Sequence, residues 1–145
     1  MKALLQRVKR ASVRINGEIY SRINSGMLIF LCVEKTDEVQ NAQKLGDKLV
    51  NLRVFDDEKG KMNKSLLDVK GEILVVSQFT LAGDCKKGTR PSFDKAAQPE
   101  RAKELYEEFV KIISQYKLIV KTGEFQAMMD VELTNDGPVT FMVEK

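Results

Sequence analysis

The order of the apolar segments restricts the fold of this chain more than any other feature of its sequence. Strand-like segments follow one another directly near both ends, and regular strand–helix–strand alternation is missing. Near the start, Val13-Arg14-Ile15 and Glu18-Ile19-Tyr20 flank Asn16-Gly17, a dipeptide that tolerates the positive φ angles of a type I′ hairpin turn. The sequence therefore predicts β structure over residues 1–33, with residues 27–33 as a strand buried on both faces.

Two segments have the apolar spacing of an amphipathic helix. Thr36 is a suitable N-cap for the first helix, which we expect over about residues 37–51. The second begins near Pro99, because proline suits the first position of a helix. The apolar face of the first helix consists of Val39, Ala42, Leu45, Leu49 and Leu52, and that of the second of Ala102, Leu105, Phe109, Ile112 and Tyr116.

The remaining apolar segments favour further strands. Residues 73–76 form a continuous apolar run, whereas residues 129–133 and 139–143 alternate between apolar and polar side chains. We expect a turn at Asn135-Asp136-Gly137-Pro138 between the last two. The pattern predicts a single domain over residues 1–145 of the mixed α/β class: a barrel-like, mostly antiparallel, curled β-sheet with two helices packed outside it.

The composition excludes several classes of active site. None of the 145 residues is a histidine, so a Ser-His-Asp or Cys-His machinery and any imidazole metal site are excluded. The two cysteines, Cys32 and Cys85, are too few and too far apart for a zinc site or a CxxC redox pair. The acidic turn Asp56-Asp57-Glu58 lacks the ligand spacing of a calcium loop. We therefore expect no bound metal.

Charge and hydropathy indicate where such a chain works. The net charge of +3 permits an anionic partner without requiring one. The longest apolar run, residues 27–33, is far shorter than the ~18 residues of a membrane-spanning helix. Arg7, Lys9 and Arg10 interrupt the apolar start before a signal peptide could form. We expect a cytoplasmic protein without membrane contact, in which both cysteines remain thiols.

Ser77-Gln78-Phe79-Thr80 places hydroxyl and amide side chains at the end of an apolar strand. One interpretation is that Ser77 and Thr80 only satisfy local backbone groups as the chain turns. The other is that these hydroxyls and free backbone N–H groups form a polar pocket that can hold a developing oxyanion. Because no histidine exists to act as base, hydrolysis here would depend on positioned backbone groups and on the substrate's own groups.

Gly137-Pro138 is an unusual dipeptide immediately before a strand. Proline contributes no N–H to a β-ladder, and a bond that precedes proline can be cis at modest cost. One interpretation is that the dipeptide belongs to a plain β-turn. A cis bond would instead aim two successive carbonyl groups outward.

The long segment 82–98 has little periodicity and is a candidate functional loop. Lys86, Lys87 and Arg90 lie within it and form a modest cationic cluster. Such a cluster either solvates a surface or contacts phosphate groups. Arg7, with Lys9 and Arg10, would extend the patch or would alternate outward from a half-buried strand.

Met129 lies on the same predicted strand face as Val131 and Leu133, which favours a place in the core over a place in a pocket. Cys32 stands inside an apolar strand and is expected to be a small core residue, whereas Cys85 is expected to be an exposed thiol.

Together, Ser77-Gln78-Phe79-Thr80-Leu81 and Asn135-Asp136-Gly137-Pro138-Val139-Thr140 resemble the two signature motifs of the D-aminoacyl-tRNA deacylases, which remove D-amino acids from mischarged tRNA. Arg7-Val8, Asn51-Leu52-Arg53-Val54-Phe55 and Arg90-Pro91-Ser92-Phe93 extend the resemblance along the chain. The resemblance implies a homodimer with a barrel-like fold that uses no metal or organic cofactor. It also implies D-aminoacyl-tRNA as substrate, with glycyl-tRNA accepted because glycine is achiral.

The resemblance further implies roles for individual residues. Backbone groups around Gln78, Phe79 and Thr80 would lie near the ester, with Ser77 beside them. Thr80 matches the threonine sometimes assigned as nucleophile, and the competing view is that the ribose 2′-hydroxyl of the substrate assists. Gly137 and Pro138 would enter the pocket of the partner subunit and select chirality. Arg7 and Met129 would support the pocket, and Lys86, Lys87 and Arg90 would contact tRNA.

Two positions depart from the family pattern. Gln126 stands where the family more often has a small residue, and Met128 stands where it more often has an aspartate. Two other functions agree with the same sequence: a module that binds the tRNA 3′ end without turnover, and a dimeric amino-acid sensor. The first would bind charged tRNA without releasing amino acid, and the second would bind free D-amino acids.

Overall fold

The computed structural model describes all 145 residues, and its first element is a long β-hairpin. Strand β1 (Lys2–Ile15) pairs antiparallel with β2 (Glu18–Ile23). The two turn residues, Asn16 and Gly17, have φ angles of 52° and 83°. Positive φ at both central positions defines the type I′ turn, so this sequence prediction is confirmed. Strand β3 (Gly26–Cys32) then returns antiparallel to the first half of β1.

Both predicted helices are present. They are α1 (Val39–Asn51) and α3 (Pro99–Ser114), with Pro99 in the first turn of α3 as expected. Thr36 does not cap α1; Glu38 does, and its backbone N–H donates to Oδ1 of Asn41. A third, four-residue helix was not predicted. The other elements are β4 (Phe55–Asp56), β5 (Met62–Lys64), α2 (Leu66–Val69), β6 (Glu72–Ser77), a 3₁₀ helix (Phe79–Ala82), β7 (Val120–Thr122) and β8 (Asp130–Glu144).

The six-stranded sheet is a nearly closed barrel. Its strands follow the order β2-β1-β3-β6-β7, and β8 pairs with the other edge of β1. Pairings with β1 are antiparallel, whereas β6 is parallel to both β3 and β7. The hydroxyl of Ser21 on β2 donates to the carbonyl of Thr122 on β7 at 2.7 Å and links the two outer strands. The predicted barrel-like, mixed sheet with helices outside is therefore confirmed.

The two faces of the sheet carry separate apolar clusters. The larger one joins alternate residues of β1, β3 and β6 to the apolar faces of α1 and α3. Gly46 of α1 allows these helices to approach closely, since a Cβ there would lie 3.2 Å from the Cγ2 of Ile112. The smaller cluster fills the opposite face and includes Val8, Leu28 and Val76. Helices therefore cover one face, and the curled strands enclose the other.

The expected turn at residues 135–138 is wrong. Residues 130–144 form one strand, β8, which pairs with β1 along almost its whole length. The register changes between the pairs Gln6↔Thr140 and Val8↔Asn135, so four residues of β8 stand opposite Arg7 alone. The tetrapeptide is thus a wide bulge within a strand, and the Gly137–Pro138 bond in it is cis.

Candidate active site

A cleft of about 740 Å³ opens at the carboxyl end of β6. Its first wall is the segment that leaves β6, residues 77–80, and its second wall is the segment that leads into β8, residues 125–129. Pro99 and Ala102 from the start of α3 also line it. Two thirds of the lining residues are apolar, and the polar side chains are concentrated on the first wall.

Two backbone N–H groups on the first wall have no hydrogen-bond partner within the chain. Gln78 continues the β-ladder, because its backbone N–H donates to the carbonyl of Leu31 at 2.8 Å. The chain then turns into the 3₁₀ helix, whose first residues, Phe79 and Thr80, donate to no group of the chain. N–H groups at the start of a helix have no intrahelical partner. Two adjacent donors are therefore available at the cleft.

Side chains on the first wall add hydroxyl and amide groups. The Nε2 of Gln78 donates to Oγ1 of Thr80, which fixes the threonine hydroxyl beside the free N–H groups. Ser77 is half-buried and lines the same wall. Of the two interpretations of this motif, the polar pocket agrees with the geometry, because the N–H groups of Phe79 and Thr80 are not satisfied locally.

No titratable side chain lines the cleft. Cys32 lies behind the first wall, where its thiol donates to the carbonyl of Phe79 at 3.6 Å. Burial raises the pKa of Cys32 to about 11, so it remains a thiol at neutral pH. Burial also raises the pKa of Tyr106, whose hydroxyl donates to the carbonyl of Val75 at 2.9 Å. The cleft therefore contains hydrogen-bond donors but no side chain placed to act as a general base.

The second wall is mostly apolar. Phe125 packs against Tyr106 with a ring-centre distance of 5.8 Å, and Met128 is 91% exposed. Met129 packs against the smaller apolar cluster and also lines the cleft, so it is both a core and a pocket residue. The two residues that depart from the family pattern, Gln126 and Met128, both line this wall.

Gly137 and Pro138 are exposed and do not line the cleft of their own chain. Arg7 lies beneath them, only 7% exposed, and its guanidinium donates to the carbonyls of Val54 at 2.7 Å and Asp136 at 2.9 Å. It also forms an ion pair with Asp136 at 3.1 Å. Arg7 therefore does not line the cleft of its own chain, and its burial excludes the alternative that it extends a surface patch. It anchors the Gly137–Pro138 bulge.

Asn135 also holds the Gly137–Pro138 bulge in place. Its Nδ2 donates to the carbonyls of Arg7 at 3.0 Å and Val139 at 3.1 Å. One amide therefore holds both strands together across the register change. The bulge is exposed to solvent but fixed to the barrel.

The segment between the 3₁₀ helix and α3 lacks regular structure, as predicted. Lys86, Lys87 and Arg90 line a depression of about 410 Å³ together with Lys95, and none of the four forms an ion pair. The ring of Phe93 packs edge-on against Phe79 at a centre distance of 5.2 Å. This contact joins the cationic loop, residues 82–98, to the first wall of the cleft.

The acidic turn at residues 56–58 is stabilised by hydrogen bonds within the chain. Asp57 accepts hydrogen bonds from the backbone N–H groups of Lys59 and Lys61 and from Nδ2 of Asn63. The bond from Lys61 is the main reason that the pKa of Asp57 is lowered. No group of three or more histidine, cysteine or acidic side chains comes together to hold a metal ion. None of the helices has the length and apolar character needed to cross a membrane.

The sequence model of the family described as D-Tyr-tRNA(Tyr) deacylase matches residues 4–144. The chain belongs to this family. A D-aminoacyl-tRNA deacylase of Thermosipho africanus is 54% identical over 144 residues, which are 99% of this chain and 97% of that protein. Another of Geotalea daltonii is 56% identical over 144 residues, covering 99% of this chain and 96% of its own length.

A solved structure of a protein named c-Myc DNA Unwinding Element Binding Protein has the same fold. It aligns with a TM-score of 0.94 at 42% identity, and the alignment covers 100% of this chain and 99% of that one. The resemblance inferred from the two sequence motifs is therefore confirmed along the whole chain.

Within this deacylase family member, the two motifs lie in different places. The first, residues 77–80, lines the cleft, and the second, residues 135–138, lies outside it. Sequence reasoning missed Phe125, Ala127 and Val131 as lining residues, because they are apolar and look like ordinary core positions. On that wall, only Met129 and the departures at Gln126 and Met128 were singled out in the sequence.

Proposed function

We propose that this chain hydrolyses the ester between a D-amino acid and the 3′-terminal adenosine of tRNA. Membership of the family and relatives named D-aminoacyl-tRNA deacylase support this activity. The observation that carries the proposal is the pair of unpaired N–H groups of Phe79 and Thr80 in the cleft. Donors placed in this way stabilise the oxyanion that forms when an ester carbonyl is attacked.

The reaction needs little from the side chains of the cleft. Water adds to the ester carbonyl, the negative charge on the carbonyl oxygen is held by the two N–H groups, and the bond to the ribose oxygen breaks as that oxygen takes up a proton. Because no side chain in the cleft can act as base, the ribose 2′-hydroxyl assists proton transfer. The hydroxyl of Thr80, held by Gln78, positions the substrate.

A second copy of the chain completes the site in this proposal. Met142, Leu4, Phe30 and Val76 are successive cross-strand neighbours in one row of the sheet. Met142 is 48% exposed, Leu4 and Phe30 are half-buried, and Val76 is buried at the edge of the cleft. The helices lie on the opposite face of the sheet. This apolar row supports a homodimer in which the exposed Gly137–Pro138 bulge of each chain enters the cleft of the other.

The bulge then selects chirality by excluded space. Its two carbonyl groups would accept from the α-ammonium group of the substrate and leave room for a D side chain, or for the hydrogen of glycine, but not for an L side chain. Rejecting L substrates matters most, because correctly charged tRNA is in large excess. A tRNA substrate of this kind also supports a cytoplasmic location.

The test is to incubate the protein with D-tyrosyl-tRNA and L-tyrosyl-tRNA and to follow release of each amino acid. We expect release from the D ester only. Binding of charged tRNA without release would favour the binding module, and salt-independent binding of free D-tyrosine would favour the sensor. Equal rates on both esters would refute chiral selection.

Thr80 variants separate positioning from nucleophilic attack. We expect Thr80→Ala and Thr80→Val to lower the rate by about 5-fold, because a lost neutral hydrogen bond contributes roughly 1 kcal/mol. Thr80→Ser should stay close to the unmodified chain. Single-turnover deacylation rates, with tRNA binding measured alongside, provide the check. Background rates in Thr80→Ala with intact binding would show that the hydroxyl is the nucleophile.

The cationic loop is tested by salt dependence. Replacing Lys86, Lys87 and Arg90 with glutamine should weaken tRNA binding and reduce the slope of log K against log salt by about 2 to 3, since each phosphate contact contributes slightly less than one unit. Preference for the D ester should not change. A triple variant of exposed lysines on other elements, Lys44, Lys48 and Lys59 to glutamine, is the matched control. Equal slopes in both triple variants would mean that the loop only solvates the surface.

A further inference from the structure

Gln126 is the one polar side chain on the second wall of the cleft, and the reaction described above does not use it. It lines the second wall, where its neighbours Phe125, Ala127 and Met128 are all apolar. Gln126 is exposed, and its side-chain amide, which carries one acceptor and two donors, makes no hydrogen bond within the chain and is open to a ligand. An amide of this kind in a mostly apolar cleft is suited to a polar group of the ligand.

The backbone holds Gln126 in a conformation that most residues avoid. Its φ angle is 64°, in the left-handed region usually occupied by glycine. The turn around it is anchored, because the N–H of Gly123 donates to Val75 at 2.9 Å and the N–H of Ala127 donates to Glu124 at 3.3 Å. Any benefit of glutamine at this position therefore comes from the side chain rather than from the backbone.

The chemistry of the substrate indicates what the amide meets. The amino-acid side chain differs from one D-aminoacyl-tRNA to another and offers no constant hydrogen-bonding partner. The α-ammonium group is bonded to the carbon beside the ester and so stays near the first wall. The terminal adenine is constant and lies at the other end of the ribose, which suits the second wall.

Glutamine and adenine have matching hydrogen-bonding edges. The Oε1 of a glutamine accepts from the adenine N6 amino group while its Nε2 donates to N7. Phe125 and Met128 beside Gln126 offer apolar surface for the face of an unstacked base. We propose that Gln126 is a specificity-determining residue that reads the terminal adenine through its side-chain amide. The proposal rests on the deacylase function proposed above.

The experiment varies the terminal base and the residue together. D-tyrosyl-tRNA is prepared with either adenosine or purine riboside at its 3′ end; the latter lacks only the N6 amino group. We expect the unmodified chain to prefer the adenosine substrate by about 10-fold in kcat/KM, as for a lost base-edge contact. Gln126→Ala should lose about 10-fold on adenosine and show no preference between the two substrates.

Two further variants distinguish recognition from a structural role. Gln126→Gly relieves the left-handed backbone, so it should be at least as heat-stable as the unmodified chain and still lose the base preference. Glu124→Gln changes an exposed side chain that does not line the cleft, and it should retain the full preference. A Gln126→Ala chain that keeps the adenosine preference, or an unmodified chain without one, would overturn the proposal.

Binding of uncharged tRNA, with either adenosine or purine riboside at its 3′ end, tests base reading without ester cleavage. It therefore separates a failure of this proposal from a failure of the proposed deacylase function. A preference for the adenosine end in binding, lost in Gln126→Ala, would support base reading even if no ester were cleaved, in which case only the deacylase proposal would fail. Ester cleavage with equal binding and equal rates on both ends would instead remove the role of Gln126 and leave the deacylase function intact.

Discussion

Phe79→Pro is expected to deacylate D-tyrosyl-tRNA about 10²- to 10³-fold more slowly than Phe79→Ala, because loss of one oxyanion donor has an effect of that size. Both variants lose the aromatic ring, but only proline removes the backbone N–H. Phe79 is the first residue of the 3₁₀ helix, a position that tolerates proline. Gln78 before it has φ −144° and ψ 76°, outside the helical region that a following proline disfavours.

The measurement is the single-turnover rate of ester hydrolysis at saturating enzyme. Thermal unfolding of both variants, followed by circular dichroism, shows whether proline has disturbed the fold. Equal rates in two well-folded variants would mean that the Phe79 N–H does not contact the oxyanion, and the assignment of the first wall would then be wrong.

Gly137→Ala is the second change with a large expected effect, a loss of about 100-fold in kcat/KM on D-aminoacyl-tRNA, since a displacement of about 1 Å in a positioning group can lower a rate by this factor. A Cβ on Gly137 would overlap with Oδ1 of Asn135, so the asparagine side chain has to move. That side chain holds the carbonyls of Arg7 and Val139 across the bulge. The substitution therefore shifts the bulge without removing any of its carbonyl groups.

Gly60→Ala is the matched control. Gly60 also has a positive φ angle, 71°, but a Cβ there has no atom within 4 Å. It lies in the turn between β4 and β5, away from the residues that line the cleft. The control should lose some stability and keep its activity. Full activity in a folded Gly137→Ala chain would contradict the role of the bulge in the site.

Local signals in the sequence determined the elements that depend on neighbouring residues alone. Asn16-Gly17 adopts the hairpin turn because these residues accept positive φ, and Pro99 begins α3 because its missing N–H is not needed there. The absence of histidine restricts the chemistry of any site in this chain, whatever its fold, and the two motifs identified the family.

Long-range pairing decided the features that the sequence prediction missed or misplaced. The turn signal at residues 135–138 was outweighed because β1 is long enough to pair with both halves of β8, which turns the tetrapeptide into a bulge. Arg7 resembles an alternating surface cation in the sequence, yet it is buried because the carbonyls of Val54 and Asp136, 47 and 129 residues away along the chain, converge on it.

The cleft itself is a product of the tertiary structure. Polarity and the family resemblance predicted residues 77–80 as site residues, with free backbone N–H groups as one of two interpretations. The hydrogen bonds of the folded chain show that the free N–H groups are those of Phe79 and Thr80. The second wall carried less signal: the family resemblance pointed to Met129, but Phe125 and Ala127 were missed because apolar side chains fit a core and a pocket equally well. Which of the two they line depends on how the segment before β8 lies beside the carboxyl end of β6, and local sequence does not encode that arrangement.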